Sequence, residues 1–250
     1  MLGAISMLVL VMSGAALTSS RDHSRWPGLL TVHVAVAIAS ALLTLGVAIA
    51  FSRFGWIVLC ALLLEIGLGY PLKATGPVAG TLHAVLGTLL VAALSAVALV
   101  TSRSWQRDPE LVQDYGWPSL KSLSTTASFL VAVQVAFGAG IRHSELGVMP
   151  HLLGALVVAL LIMIVGAFAM NQFPKHPTLR PAAIALMVIT GIQVFLGMAA
   201  FMFRMMNVTA TTTWLGISVA HVVTGSVTFA ASVVFAVEIR RNVRPREVAA

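Results

Sequence analysis

The chain is 250 residues long, 59% hydrophobic and only 9% charged, with a net charge of +7. A soluble domain carries about 25% charged residues, so a water-facing surface is excluded over most of this molecule and lipid must take its place. The basic balance does not point to nucleic acid, because the Lys and Arg residues sit in short connections and near the C-terminus rather than on a soluble domain.

Apolar runs of about 17–25 residues cross a hydrocarbon core as helices. No stretch shows the short alternation of a membrane barrel. The runs predict an all-α integral membrane protein whose eight transmembrane helices form two pseudo-symmetric four-helix bundles. The first span, Leu2–Leu17, is short. A cleaved signal peptide would also end in small residues such as Ser13 to Ala16, but the basic segment that opens such peptides is missing. Gly28–Ala50, Phe54–Tyr70 and Gly80–Val100 follow, and the lone Cys60 in the third span leaves no disulfide or CxxC site. The longest connection, Thr101–Ser119, carries Asp108, Pro109, Glu110, Asp114 and Pro118. It is expected to be a cytoplasmic linker between an N-terminal half, residues 1–100, and a C-terminal half, residues 120–250. The second half holds Leu120–Ile141, Pro150–Met170, Arg180–Phe203 and Thr213–Val237, then a basic tail.

Orientation follows from the basic residues. Arg21, Arg25, Lys73, Arg142 and Arg204 fall on one side, and Arg53, Arg103, Arg107, Lys121, Lys175, Arg180, Arg240, Arg241, Arg244 and Arg246 on the other. The richer side is expected to be cytoplasmic, which puts both termini inside, in a bacterial-type inner membrane.

Four histidines hold equivalent places. His33, His83, His151 and His221 each lie in the N-terminal part of an even-numbered span, at the predicted outer side. His23, His143 and His176 fall in connections and are expected to be solvated. Small residues follow the four at helical spacing, namely Ala37, Gly87, Gly154 and Gly225. Residues three or four apart share a helix face, so each small residue is read as clearing room for a flat ligand. The preceding helices repeat as Glu65-x-x-x-Gly69, Gln134-x-x-x-Gly138 and Gln193-x-x-x-Gly197, with Met12 and Ala16 at the matching places of a degraded first copy. One histidine near a membrane interface is ordinarily just a hydrogen-bonded side chain, and small-xxx-small spacing is ordinarily helix packing. Neither reading accounts for four histidines at one depth.

Two histidines per half are too few for zinc or a di-metal centre, which need further His, Cys or carboxylate ligands. Haem needs one or two axial ligands and an apolar slot. Haem is therefore the expected cofactor, with His33 paired to His83 and His151 to His221 as iron ligands. Arg142 and Arg204, on the same side, suit propionates or an interfacial anchor equally. Glu65 is an intramembrane carboxyl, functional by default, and the candidate proton-moving catalytic group.

Over nearly its whole length the chain resembles the haem A synthase family. The resemblance rests on eight spans in two halves, one histidine per even span, and the stretch Val133-Gln134-Val135-Ala136-Phe137-Gly138-Ala139-Gly140-Ile141-Arg142. It implies haem B held by His151 and His221, with His33 and His83 around a second haem (haem O, haem A or haem B) that is oxidised at a methyl group. The family's outer-loop cysteine pair is absent, and Leu30 stands where the family has a glutamate three residues before its first histidine. The alternatives are a di-haem b-type cytochrome carrying electrons within a respiratory complex and a non-catalytic haem-binding factor in oxidase assembly. The expected partners are therefore lipid, haem and respiratory or oxidase-assembly membrane proteins.

Overall fold

A computed structural model describes residues 1–20, 28–51, 53–69, 72–114, 116–209 and 211–245. Arg21, His23, Arg25, Tyr70 and Arg246, which entered the sequence reading, lie outside the described residues. The fold is all-α. Its helices are α1 (Leu2–Ser19), α2 (Leu29–Phe51), α3 (Arg53–Gly69), α4 (Leu72–Val100), α5 (Leu120–Arg142), α6 (Val148–Gln172), α7 (Leu179–Met205) and α8 (Thr212–Asn242). Seven are long and apolar enough to cross a membrane, and the apolar part of α3, Gly55–Gly69, is shorter.

Element ends follow local chemistry. Ser119 caps α5 by accepting from the Ser122 N–H, and Thr211 caps α8 by accepting from the Trp214 N–H. Within α4 the helix breaks at Gly76, whose φ of 77° is open to glycine at little cost, and Pro77 restarts it. The helical turns therefore begin before the predicted Gly80.

Each of the first four helices packs on the next, and α4 returns to α1. In the same way α5 to α8 pack in order and α8 returns to α5. The two sets meet where α4 packs on α5 and α8, and α1 on α8. Helix α8 is the most enclosed, with half of its apolar window buried, against 17% in α2 and 11% in α7. Its inward face is rich in small hydroxyl residues (Ser218, Ser226, Thr228, Ser232), which let neighbouring backbones approach closely. The outward faces of α2, α6 and α7 expose Leu30, Ile38, Leu42, Ile49, Leu153, Leu156, Phe195 and Met202. A contiguous apolar surface of this kind is what a bilayer covers.

The predicted linker is built onto the second set of helices. Residues Val112–Gln113 (β1) pair in parallel with Val243–Arg244 (β2), which follow α8 directly. The guanidinium of Arg241 sits 4.2 Å over the Trp105 ring and donates to the carbonyls of Trp105 and Arg107. Asp114 accepts from the Leu120 N–H at 2.7 Å, fixing the entry to α5. His176 corrects an expectation: it is buried rather than solvated. Its Nε2 donates to the Glu110 carbonyl at 3.0 Å, while Nδ1 accepts from the N–H groups of Thr178 and Leu179 at the start of α7.

Candidate functional site

The four even-helix histidines meet in two pairs at the end of the molecule where odd helices finish and even helices begin. The His33 and His83 ring centres are 6.2 Å apart with an interplanar angle of 74°. Those of His151 and His221 are 6.1 Å apart at 88°. In each pair the two helices stand opposite one another, both packed on the same odd helices, so the rings approach across the interior. All four are half-buried.

Glycine on the odd helices makes room for these rings. A Cβ on Gly14, Gly69, Gly138 or Gly197 would stand 3.1, 2.8, 3.1 or 2.9 Å from Cε1 of His33, His83, His151 or His221 respectively. In every case Nδ1 is the next nearest ring atom and Nε2 is farther. Each histidine thus lays its Cε1 edge on a glycine, with Nδ1 the nearer of the two ring nitrogens. The first helix does carry the repeat, in the register Leu10/Gly14 rather than Met12/Ala16. Leucine in place of Glu or Gln hid that copy.

The second set of small residues is also accounted for, and differently from the sequence reading. The space over Gly87, Gly154 and Gly225 is taken by the side-chain ends of Glu65, Gln134 and Gln193. Those residues are the partners of the histidines one turn away. Glycine on one helix receives the histidine, and glycine on the other receives the Glu or Gln, so the two positions interlock. The room directly over these three glycines is therefore taken by side chains of the neighbouring helices.

Hydrogen bonds hold the Nδ1 side. His83 Nδ1 donates to the Glu65 carbonyl at 3.1 Å, with Glu65 Oε1 also 3.1 Å away. A carbonyl can only accept, so His83 carries its proton on Nδ1 and leaves the Nε2 lone pair free. His33 Nδ1 lies 2.8 Å from the Ser13 hydroxyl, which itself donates to the Leu10 carbonyl at 2.9 Å. With its one proton so used, the hydroxyl accepts from Nδ1, and His33 holds the same tautomer. At His151 the Gln134 amide lies 2.9 Å from Nδ1 and 2.7 Å from the His151 carbonyl. At the fourth histidine, neither His221 Nδ1 nor Gln193 Oε1 has a hydrogen-bond partner among the described residues. Among the described residues no hydrogen bond engages Nε2 of any of the four.

Other predicted site residues divide. Glu65 is buried behind His83, on the Nδ1 side, in the place Gln134 and Gln193 take at their own histidines. Arg142 reaches across to the end of α1, donating to the Ala15 carbonyl at 2.9 Å, to Ser19 at 3.1 Å and to Thr18, and to Ser218 on α8 at 3.2 Å. Its guanidinium is thus engaged by protein. Arg204 is exposed at the end of α7. His143 is a residue the sequence reading passed over as solvated. It is half-buried, and its ring lies against Gly80, so that a Cβ there would stand 2.6 Å from Cε1. Its position directly after Arg142 was the available signal. No cluster of three or more metal-ligating side chains exists among the described residues. An apolar cavity of about 240 Å³ opens between α5 and α6, lined by Phe137, Leu153 and Val157 among others, with Gln134 and Gly154 at its inner wall.

No protein-family model and no curated protein sequence matches the chain.

Proposed function

We propose that this chain is a membrane haem-binding oxidoreductase in which each half clamps one haem between two histidines: His33 with His83, and His151 with His221. The observation that carries the reading is the ring spacing of 6.2 and 6.1 Å. Two imidazoles bound to one metal from opposite sides, each through a bond of about 2 Å, hold their ring centres roughly 6 Å apart. The free Nε2 of His33 and His83, with Nδ1 held from behind, is the arrangement that orients a ligating histidine. Iron held by two histidines in a largely apolar setting supplies one-electron chemistry. The chain's own residues bind it, fix the ring planes and, through Glu65 at His83, hold a proton next to one ligand.

The architecture proposed is eight spans in two pseudo-symmetric four-helix bundles. Parity supports it. The ends of α1 and α5 meet through Arg142 and Ser19, so an even number of crossings separates them. Helices α2, α4 and α5 are long enough to cross, and α3 must then cross as well. Its 17 residues give about 26 Å of helix, near the lower limit for a span. We place both termini in the cytoplasm, at the inner membrane.

Two specific observations favour different chemistries. The nearly identical ring spacing of the two pairs favours two equivalent b-type haems carrying electrons, as in a respiratory or oxidase-assembly partner complex. Glu65, the one acid in the Glu/Gln positions, favours a reactive first half like that of haem A synthases, with haem B kept by His151 and His221 and a haem O or haem A at the other pair. Pigment extracted from the purified protein separates them. Two haem B per chain is the expected result for the cytochrome, and haem A or a hydroxylated haem for the synthase. Replacing each of the four histidines by Ala is expected to remove one low-spin haem signal. Unchanged spectra in all four variants would overturn haem binding altogether.

A further inference from the structure

Arg142 and His143 end α5, and each touches the turn beyond a histidine of a different pair. Arg142 donates to Ser218, three residues before His221 on α8. The His143 ring lies on Gly80, three residues before His83 on α4. A three-residue step keeps a helix face, so both contacts sit one turn beyond a histidine on the face that histidine uses. The same dipeptide is anchored to a third element, because Arg142 also holds the Ala15 carbonyl, Thr18 and Ser19 at the end of α1. Ser19 closes the circuit by bonding Ser218 at 3.0 Å.

We propose that Arg142 and His143 are positioning residues shared by the two histidine pairs, setting the first turns of α4 and α8 together so that the two sites are coupled. The close seat at Gly80 is possible only because that residue lacks a side chain. Neither member belongs to a pair, and each acts through the helix it touches. Helices α4 and α8 pack directly on each other, so a shift of one outer turn is felt by the other.

The proposal deepens the di-haem reading and rests on it for the sites' purpose, but the coupling itself can be read without haem. The experiment is NMR of the full chain purified in detergent with its histidine rings labelled with ¹⁵N. His143→Ala is expected to move the ring signals of His83 and, through the α4–α8 contact, those of His221, and to leave those of His151 in place. Gly80→Ala breaks the same contact from the other side and is expected to reproduce that shift, which guards against a folding defect in the first variant. Arg142→Gln is expected to move the His221 signals. The proposal is overturned if His143→Ala and Gly80→Ala leave His221 in place, if none of the three variants moves a pair histidine, or if all four pair histidines move alike in each. A wild-type protein that carries no haem would remove the haem reading, while the ring signals still decide the coupling.

Discussion

Thr88 and Ser226 share a hydrogen bond of 3.4 Å across the seam between α4 and α8. Each stands five residues after the second histidine of its pair. The contact therefore relates equivalent positions of the two halves, as a two-fold axis through the seam would require. Two small hydroxyls there allow the close approach of helices that larger side chains would prevent.

The interlock of glycine and histidine gives a graded test. Gly69→Ala and Gly197→Ala would bring a Cβ within 2.8 and 2.9 Å of a ring carbon, closer than the 3.1 Å at Gly14 and Gly138. Overpacking of this kind costs about 1–3 kcal/mol. The first two variants are expected to lose more haem from their half than Gly14→Ala or Gly138→Ala. Gly67 and Gly191, on the same helices with open space beside them, are the controls, and Ala there should leave haem content unchanged. Haem per chain by pyridine haemochrome measures all six.

Glu65→Gln places at His83 the side chain that already serves at His151 and His221. Bound haem should stay near the wild-type amount, because glutamine keeps the shape over Gly87. Any oxidation in the first half should fall at least tenfold, because an amide does not titrate. A variant that oxidises haem at the wild-type rate would remove Glu65 from the chemistry.

Acid sensitivity should trace in part to His143. Burial first, then the Arg142 guanidinium and His83, hold its imidazole below the ordinary value of 6.5. The folded chain therefore binds this proton less readily than the unfolded chain. The associated stability is present above about pH 6.5 and is lost as pH falls through the folded value. His143→Gln should flatten that loss, so the drop in unfolding temperature between about pH 7.5 and about pH 5 becomes smaller than in the wild type. An identical drop in both proteins would contradict the assignment.

The proposed orientation predicts that a reporter fused after the last helix is active only if it functions in the cytoplasm. Pairing of β1 with β2 puts the linker and the end of α8 on one face, so a reporter inserted near Gln106 should give the same answer as one at the C-terminus. Opposite answers from the two sites would break the even count of crossings in the second half.

Much of this was legible in the sequence, and the failures have physical causes. Apolar runs marked every helix, because lipid imposes length and composition on each span. The four histidines stood out because they recur at one depth. Their pairing, His33 with His83 and His151 with His221, was expected from their places in the two halves, and the rings do approach in those pairs. The glycines after His83, His151 and His221 were read as space for a ligand, when the space belongs to Glu65, Gln134 and Gln193. A small residue shows that something large is near, but not what. Leu10/Gly14 escaped notice because the repeated element there is a backbone carbonyl and a missing side chain, not a polar residue. His176 and His143 looked solvated because they sit in connections, yet both are held by contacts distant in sequence.

The strand pair β1–β2 also bears on the order of assembly. Val112 finds its partner in Val243, which the ribosome makes only after all four helices of the second half. Until then the segment after α4 has no strand to join, and Arg241 is not there to seat Trp105. The first half can enter the bilayer and gather its own histidines early, while the linker's seat on the second half waits for the residues that follow α8. A ribosome stalled within α8 would thus hold a chain whose connecting segment is still open to protease, and release past Arg244 would close it.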